Sequence, residues 1–195
     1  MNTIGVLVLA TAVLVVIPGP NVALIVANSL RYGIRMGVMT VFGTTVGVAA
    51  QLALVVIGLA AIVELAADVL TWIKWAGVVY LVWLGIRTWR EPVADLQKVE
   101  AAPAMFWRGC MLAVLNPKTL LFNAAFVPQF VGAGSTTQFA LVATVFIGVL
   151  FVGDVFWAVF ANLARPLLGF NARWRNRVTG AFLAVAGIGL AFSRR

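Results

Sequence analysis

Residues 3–27 read TIGVLVLATAVLVVIPGPNVALIVA, an uncharged stretch broken in its middle by Pro18-Gly19-Pro20-Asn21. A bilayer core of roughly 30 Å needs about 20 apolar residues at 1.5 Å each, so the stretch is long enough to span. Pro18 and Pro20 carry no N–H, which leaves the carbonyls of Leu14 and Val16 without helical partners. Ile17 and Gly19 each precede a proline and resist the helical region. The span must break or kink. A second half-helix can start with Gly19 as cap and Pro20 as its first residue, presenting the N–H groups of Asn21, Val22 and Ala23.

The same signal recurs at Asn116-Pro117-Lys118. Asn116 reads as an N-cap and Pro117 as a first helical residue, presenting the N–H groups of Lys118, Thr119 and Leu120. Each break is a candidate anion cradle. Counted along the helical rise, Pro20 lies roughly 16 Å from Arg31 and Pro117 about 14 Å from Arg108, so both breaks fall near the midplane. Irregular backbone at that depth is tolerated only where it is buried in protein or lines a wet cavity. A pair of simple proline kinks is the plain alternative. Two breaks at matched depth, one a double proline, favour a substrate or ion site.

Composition places the breaks in an all-α membrane protein. Of 195 residues, 63% are hydrophobic and 10% charged, and the mean hydropathy is +1.06; a soluble domain is nearer half apolar and a quarter charged. Six spans are expected at about 3–27, 37–62, 69–86, 109–130, 138–163 and 177–193, forming one transmembrane domain over 1–195. No room remains for a soluble catalytic domain. His is absent and Cys110 is the sole cysteine, which removes His acid/base chemistry, His/Cys metal sites and CxxC pairs. Neither an enzyme, a cofactor nor a bound metal is expected.

The net charge of +8 reports orientation and lipid headgroups before nucleic acid, which is not expected as a partner. No Lys or Arg precedes Arg31, so the first stretch lacks the basic start of a cleaved signal and is expected to be retained. Arg31 and Arg35 lie in the first loop, Arg87, Arg90, Lys98 and Arg108 in the third, and Arg165, Arg173, Arg175 and Arg177 in the fifth. The positive-inside rule puts these loops in the cytoplasm and both termini outside. Arg194 and Arg195 run against that, and a five-span form with its N-terminus inside is the alternative. Lys74, between Trp72 and Trp75, reads as a snorkelling interface residue.

Six spans divide into halves of about 1–86 and 109–195, joined by a cytoplasmic linker at 87–108. An odd number of spans per half makes duplicated halves inverted three-helix repeats, each with a broken first helix. Two charges lie deep: Lys118 in the second break, and Asp154 roughly 16 Å from Arg165. A charge there costs at least ~2.5 kcal/mol even on a lenient scale, so each needs a partner or water. They could form a mutual ion pair that fixes packing. Alternatively Lys118 attracts a carboxylate while Asp154 takes up and releases a proton; the two readings are compatible.

Gln51, with Thr44 and Thr45 a turn or two before it, reads as packing glue ahead of cavity lining. Asn21 and Asn123 could hydrogen-bond freed carbonyls or a ligand. Gly43-xxx-Gly47 and Gly33-xxx-Gly37 read as close helix packing, Cys110 as a small apolar filler, and the Trp and Phe residues at helix ends as an interfacial belt.

The run IPGPNVALIVANSLRYGIRMGV, the later WAGVVYLVWLGIRTWR and FWRGCMLAVLNPKTLLF, the Gly153-Asp154-xx-Trp157 pattern and the closing RVTGAFLAVAGIGLAF together resemble the lysine-exporter (LysE/RhtB-type) amino-acid translocators. The resemblance spans almost the whole chain. It implies a secondary transporter in the bacterial inner membrane that exports amino acids or close derivatives, driven by the proton-motive force. It adds weight to Pro18, Gly19, Pro20, Asn21, Asn116, Pro117 and Lys118 for substrate and to Asp154 for the proton. Some relatives carry His or an acid early in the second helix; Val48-Ala-Ala-Gln51 has neither. The mechanism expected is alternating access around a midplane site, with the substrate carboxylate on the half-helix ends and Lys118 and its ammonium on Asp154 or freed carbonyls. A metal-ion exporter of the wider superfamily and a non-transporting membrane assembly factor are the alternatives. Substrate identity and oligomeric state stay open, a homo-oligomer among the options.

Overall fold

The computed structural model describes residues 3–90, 101–125, 127–131, 136–166 and 172–192. The described elements are all helical: α1 (Thr3–Val16), α2 (Pro20–Tyr32), α3 (Ile34–Arg90), α4 (Ala102–Val114), α5 (Pro117–Ala125), a 3-10 turn (Val127–Phe130), α6 (Thr136–Ala164) and α7 (Ala172–Phe192). Among them, Ile34–Leu54 within α3 and Thr137–Ala164 within α6 are each long and apolar enough to cross a membrane. The pair α1 and α2, bent by 56°, makes a third if taken as one span. The first proline break is therefore real and sharp.

α2 is the axis of the molecule. It is buried continuously from Pro20 to Leu30, with Ala23, Leu24 and Ala27 clustering with Leu81, Leu84, Leu112 and Leu183 from α3, α4 and α7. Ile25 meets Val41 and Ala158 on another side. α1 by contrast lies outermost, with Leu9 57% and Val13 53% exposed. A half-helix polar at its start and wrapped by protein satisfies the condition for irregular backbone at membrane depth.

The expected separate helices at 37–62 and 69–86 are instead one helical run, α3. Run straight, it would be about 85 Å long. Its start and its end nevertheless pack on the same short helix: Asn28 of α2 bonds Thr40, and Leu81 and Leu84 join Leu24. The run therefore curves back on itself. No proline occurs within it, and the expected break falls at Val-Glu-Leu-Ala-Ala-Asp, mostly good helix formers over which the helix continues.

The linker expected at 87–108 is also shorter than expected. α3 continues to Arg90 and α4 begins at Ala102 rather than at 109, because Pro103 sits in the first turn, where a missing N–H costs nothing. Residues 91–100, with Lys98, lie outside the described residues, as do Gly132–Ser135 of the expected fourth loop, Arg194, Arg195 and the side chain of Lys74.

Close helix approach follows the small residues. A methyl on Gly43 would come within 2.0 Å of the Phe106 carbonyl oxygen, and one on Gly109 within 2.6 Å of the Thr40 oxygen, so α3 and α4 touch backbone to backbone. In Gly33-xxx-Gly37 only the second glycine packs in this way, with Ser29 of α2 and Ala158 of α6 against it. Gly33 has φ +89° and turns the chain from α2 into an antiparallel α3, a conformation that favours glycine. Cys110 is buried, as a filler should be. Trp72, Trp75, Trp83, Trp89, Trp107 and Trp174 are exposed, whereas Trp157 is half-buried.

Candidate functional site

At the first break α1 ends with Ile17 N donating to the Val13 carbonyl at 3.3 Å. Gly19 caps α2 in an extended conformation with Pro20 behind it, and Ala23 N closes the first turn onto Gly19 O at 2.8 Å. The carbonyls stranded before the break need donors, since an unpaired backbone group away from water costs about as much as a lost hydrogen bond. Lys118 Nζ supplies one to Leu14 O at 2.7 Å and another to Ile17 O. Trp157 Nε1 donates to Val15 O at 3.1 Å. A cation at the carbonyl end of a helix is also where the helix dipole favours it.

At the second break, Lys118 N donates to the Asn116 side-chain oxygen at 3.0 Å, and Leu120 N closes the first turn of α5 on Asn116 O at 3.0 Å. Asn116 is thus the N-cap its sequence suggests. Its amide nitrogen donates to Asn21 Oδ1 at 2.8 Å, tying the starts of α2 and α5 together across the molecule. Gln51, 1% exposed, donates to Val114 O at 3.0 Å and to Asn116 O at 3.1 Å, while Asn123 Nδ2 donates to Gln51 Oε1 at 3.4 Å. Gln51 is therefore a cap for the end of α4, and Asn123 its support.

The expected cradles are narrower than the sequence suggests. The N–H groups of Ala23, Lys118 and Leu120 are consumed by their own caps and first turns. Those of Asn21, Val22 and Thr119 stay at the open helix ends, where α-helix geometry offers no partner. Pro18 and Pro117 act through the breaks they impose.

Asp154 is buried at 7% exposure and accepts from Thr44 Oγ1 at 3.3 Å. Its neighbour Gly153 lets the end of α1 press in, since a methyl there would lie 2.3 Å from Val15 Cγ1. Lys118 and Asp154 share one cavity with Gly19, Asn21, Thr44 and Thr119, with about 30 Å³ open to the centres of water molecules. That holds a water or two and is too small for an amino acid. Within it Lys118 spends its hydrogen bonds on backbone carbonyls and Asp154 accepts from Thr44, so the two charges face one space without forming the mutual ion pair.

The structure thus gathers Gly19, Asn21, Asn116, Lys118 and Asp154 around one cavity. Sequence reasoning missed Trp157 as a partner of the break, naming it only within the Gly153-Asp154-xx-Trp157 pattern. The signal was its position three residues after Asp154, one turn along the same face of α6.

Residues 12–194 match the family described as LysE type translocator. An uncharacterized membrane protein of Vibrio cholerae is 38% identical over 118 residues, 58% of each chain. A homoserine/homoserine lactone efflux protein of Salmonella typhimurium is 27% identical over 195 residues, covering 95% of this chain and 94% of that protein. A leucine efflux protein of an Enterobacter species is 28% identical over 139 residues, covering 67% of this chain and 66% of that protein. No solved structure was found to match. The reach of the family match, which takes in both helix breaks and Asp154, settles the assignment: the chain belongs to the LysE type translocator family.

Proposed function

We propose that the chain is a secondary transporter that exports amino acids or close derivatives across the bacterial inner membrane by alternating access, coupled to inward movement of protons. The observation that carries this reading is one cavity between two broken helices holding a cation, Lys118, and a carboxyl, Asp154, each hydrogen-bonded to groups other than its counterpart. A zwitterion complements such a site. The names of the homoserine and leucine efflux relatives point to the same substrate class.

The substrate carboxylate meets the N–H groups of Asn21, Val22 and Thr119 and draws Lys118 from the carbonyls of Leu14 and Ile17. The ammonium meets Asp154 or those released carbonyls. Losing Lys118 removes the tie between α1 and α5, so the bent joint at Gly19 is free to change its angle. The 30 Å³ cavity then belongs to a closed conformation that must widen for substrate. Six spans in two inverted repeats, with the Arg31, Arg87 and Arg165 loops cytoplasmic, would place the breaks at matched depth about the repeat axis. Each proton moving inward down a potential of 100 mV supplies about 2.3 kcal/mol.

The test is efflux from proteoliposomes loaded with labelled amino acids, with and without a protonophore. Efflux that the protonophore abolishes supports the reading. Efflux indifferent to it, or none for any amino acid, overturns it.

A further inference from the structure

A second set of buried polar groups leads away from Asp154 along the interface of α2, α3 and α6. Thr44 Oγ1 lies 3.3 Å from the Asp154 carboxyl and also 2.9 Å from the Val41 carbonyl. A hydroxyl has one proton, so it can donate to the carboxylate, or turn to Val41 and accept from the carboxylic acid. It fits either protonation state of Asp154 without moving. One turn along α3, Thr40 donates to Met36 O at 2.8 Å and accepts from Asn28 Nδ2 at 2.8 Å. Beside Asn28, the Ser29 hydroxyl is fully buried with no hydrogen-bond partner, facing Gly37 of α3.

The opposite wall is built of small groups. Ala158, one turn after Asp154 on α6, would lie 3.4 Å from a methyl on Gly37. One turn further, Asn162 Oδ1 accepts from Ile34 N at 3.1 Å in exposed surroundings, and the Arg165 guanidinium sits against Gly33. From Asp154 to Asn162 the helical rise is about 12 Å. The seam therefore joins the buried carboxyl to the α2–α3 turn.

Packing requires only part of it, the bond from Asn28 to Thr40. Thr40 and Thr44 satisfy their hydroxyls on their own helix, where valine would have the same shape, and an unpartnered buried hydroxyl such as Ser29 Oγ is a cost that apolar filling avoids. We infer that the Thr44–Thr40–Asn28–Ser29 seam is the route by which Asp154 exchanges its proton with the side bearing Arg31, Arg35 and Arg165. This rests on the reading of Asp154 as the coupling carboxyl. When the helices part enough to admit water, the neutral carboxyl gives its proton to a water held by Thr44. The O–H bond breaks, the carboxylate remains, and hydronium leaves past Thr40 and Ser29 beside Gly33. Among the described residues, the one other titratable group lining the cavity with Asp154 is Lys118 of α5.

The experiment compares Thr40→Val, Thr40→Ser and Ser29→Ala in proteoliposomes by two readouts: efflux accelerated by an imposed proton gradient, and exchange of labelled for unlabelled substrate without one. The seam predicts that Thr40→Val lowers gradient-driven efflux about tenfold, that Thr40→Ser restores it, and that exchange is retained throughout. Ser29→Ala, which removes a hydroxyl with no partner to lose, lowers the gradient-driven rate without destabilising the protein. Gradient-driven efflux at the wild-type rate in both Thr40→Val and Ser29→Ala overturns the seam. So does parallel loss of exchange and driven efflux with no rescue by Thr40→Ser. Asp154→Asn, run alongside, separates the two levels. If it still responds to the gradient, the reading of Asp154 fails and the seam with it; if it does not, the Thr40 and Ser29 results judge the seam alone.

Discussion

Lys118 Nζ donates a 2.7 Å hydrogen bond to the carbonyl of Leu14, 104 residues earlier in the chain. A cation from the second helix break thus closes the carbonyl end of the first, and the residue expected to attract a substrate carboxylate is already engaged. In the proposed mechanism, binding is a competition for one ammonium. That couples occupancy of the cavity to the angle between α1 and α2.

Lys118→Met keeps the aliphatic stem and removes the donor. The carbonyls of Leu14 and Ile17 then lose their partner, at a cost of about 1–3 kcal/mol for the part-buried Leu14 contact. The purified variant should unfold at lower temperature and export nothing. An unchanged thermal midpoint would show that the break does not depend on this contact.

Gly19→Ala tests the approach of Lys118 to the break. Gly19 has φ −123°, which alanine adopts without strain, but its Cβ would lie 2.9 Å from Lys118 Cδ. The lysine stem must shift. The variant should insert and fold normally while its apparent KM for export rises; efflux rates against internal substrate concentration provide the check.

Trp157→Phe retains the ring and loses the N–H that serves Val15 O. A stability loss of about 1 kcal/mol is expected, measured by chemical or thermal unfolding in detergent. No loss would show that the Val15 carbonyl does not depend on this donor.

Asn21 and Asn116 join the two half-helix starts through a 2.8 Å bond. In a double-mutant cycle of Asn21→Ala and Asn116→Ala, the coupling should be about 0.5–3 kcal/mol. Strictly additive effects would mean that the two breaks are not mechanically linked here.

Much of this site was legible because proline writes its effect locally. Pro18 and Pro20 announce a break and name the carbonyls they free, and Asn116-Pro117 announces a cap, each without tertiary information. What answers those carbonyls was not legible. Lys118 reaches Leu14, and Lys118 and Trp157 answer Ile17 and Val15, two carbonyls the prolines do not name, from 101 to 142 residues away, and no periodicity encodes such a contact. Gly33 was misread for the opposite reason, since a small-xxx-small spacing looks the same whether the first glycine packs or turns. The curvature of α3 escaped because hydropathy marks where a chain can span and says nothing of how a helical run returns.

In the proposed mechanism Asp154 couples proton entry to export from the cavity it shares with Lys118. The most direct measurement is the acceleration of labelled amino-acid efflux from proteoliposomes when an inward proton gradient is imposed, in wild type and in correctly inserted Asp154→Asn. Acceleration in the wild type and none in the variant is the result predicted. Equal acceleration in both would contradict it.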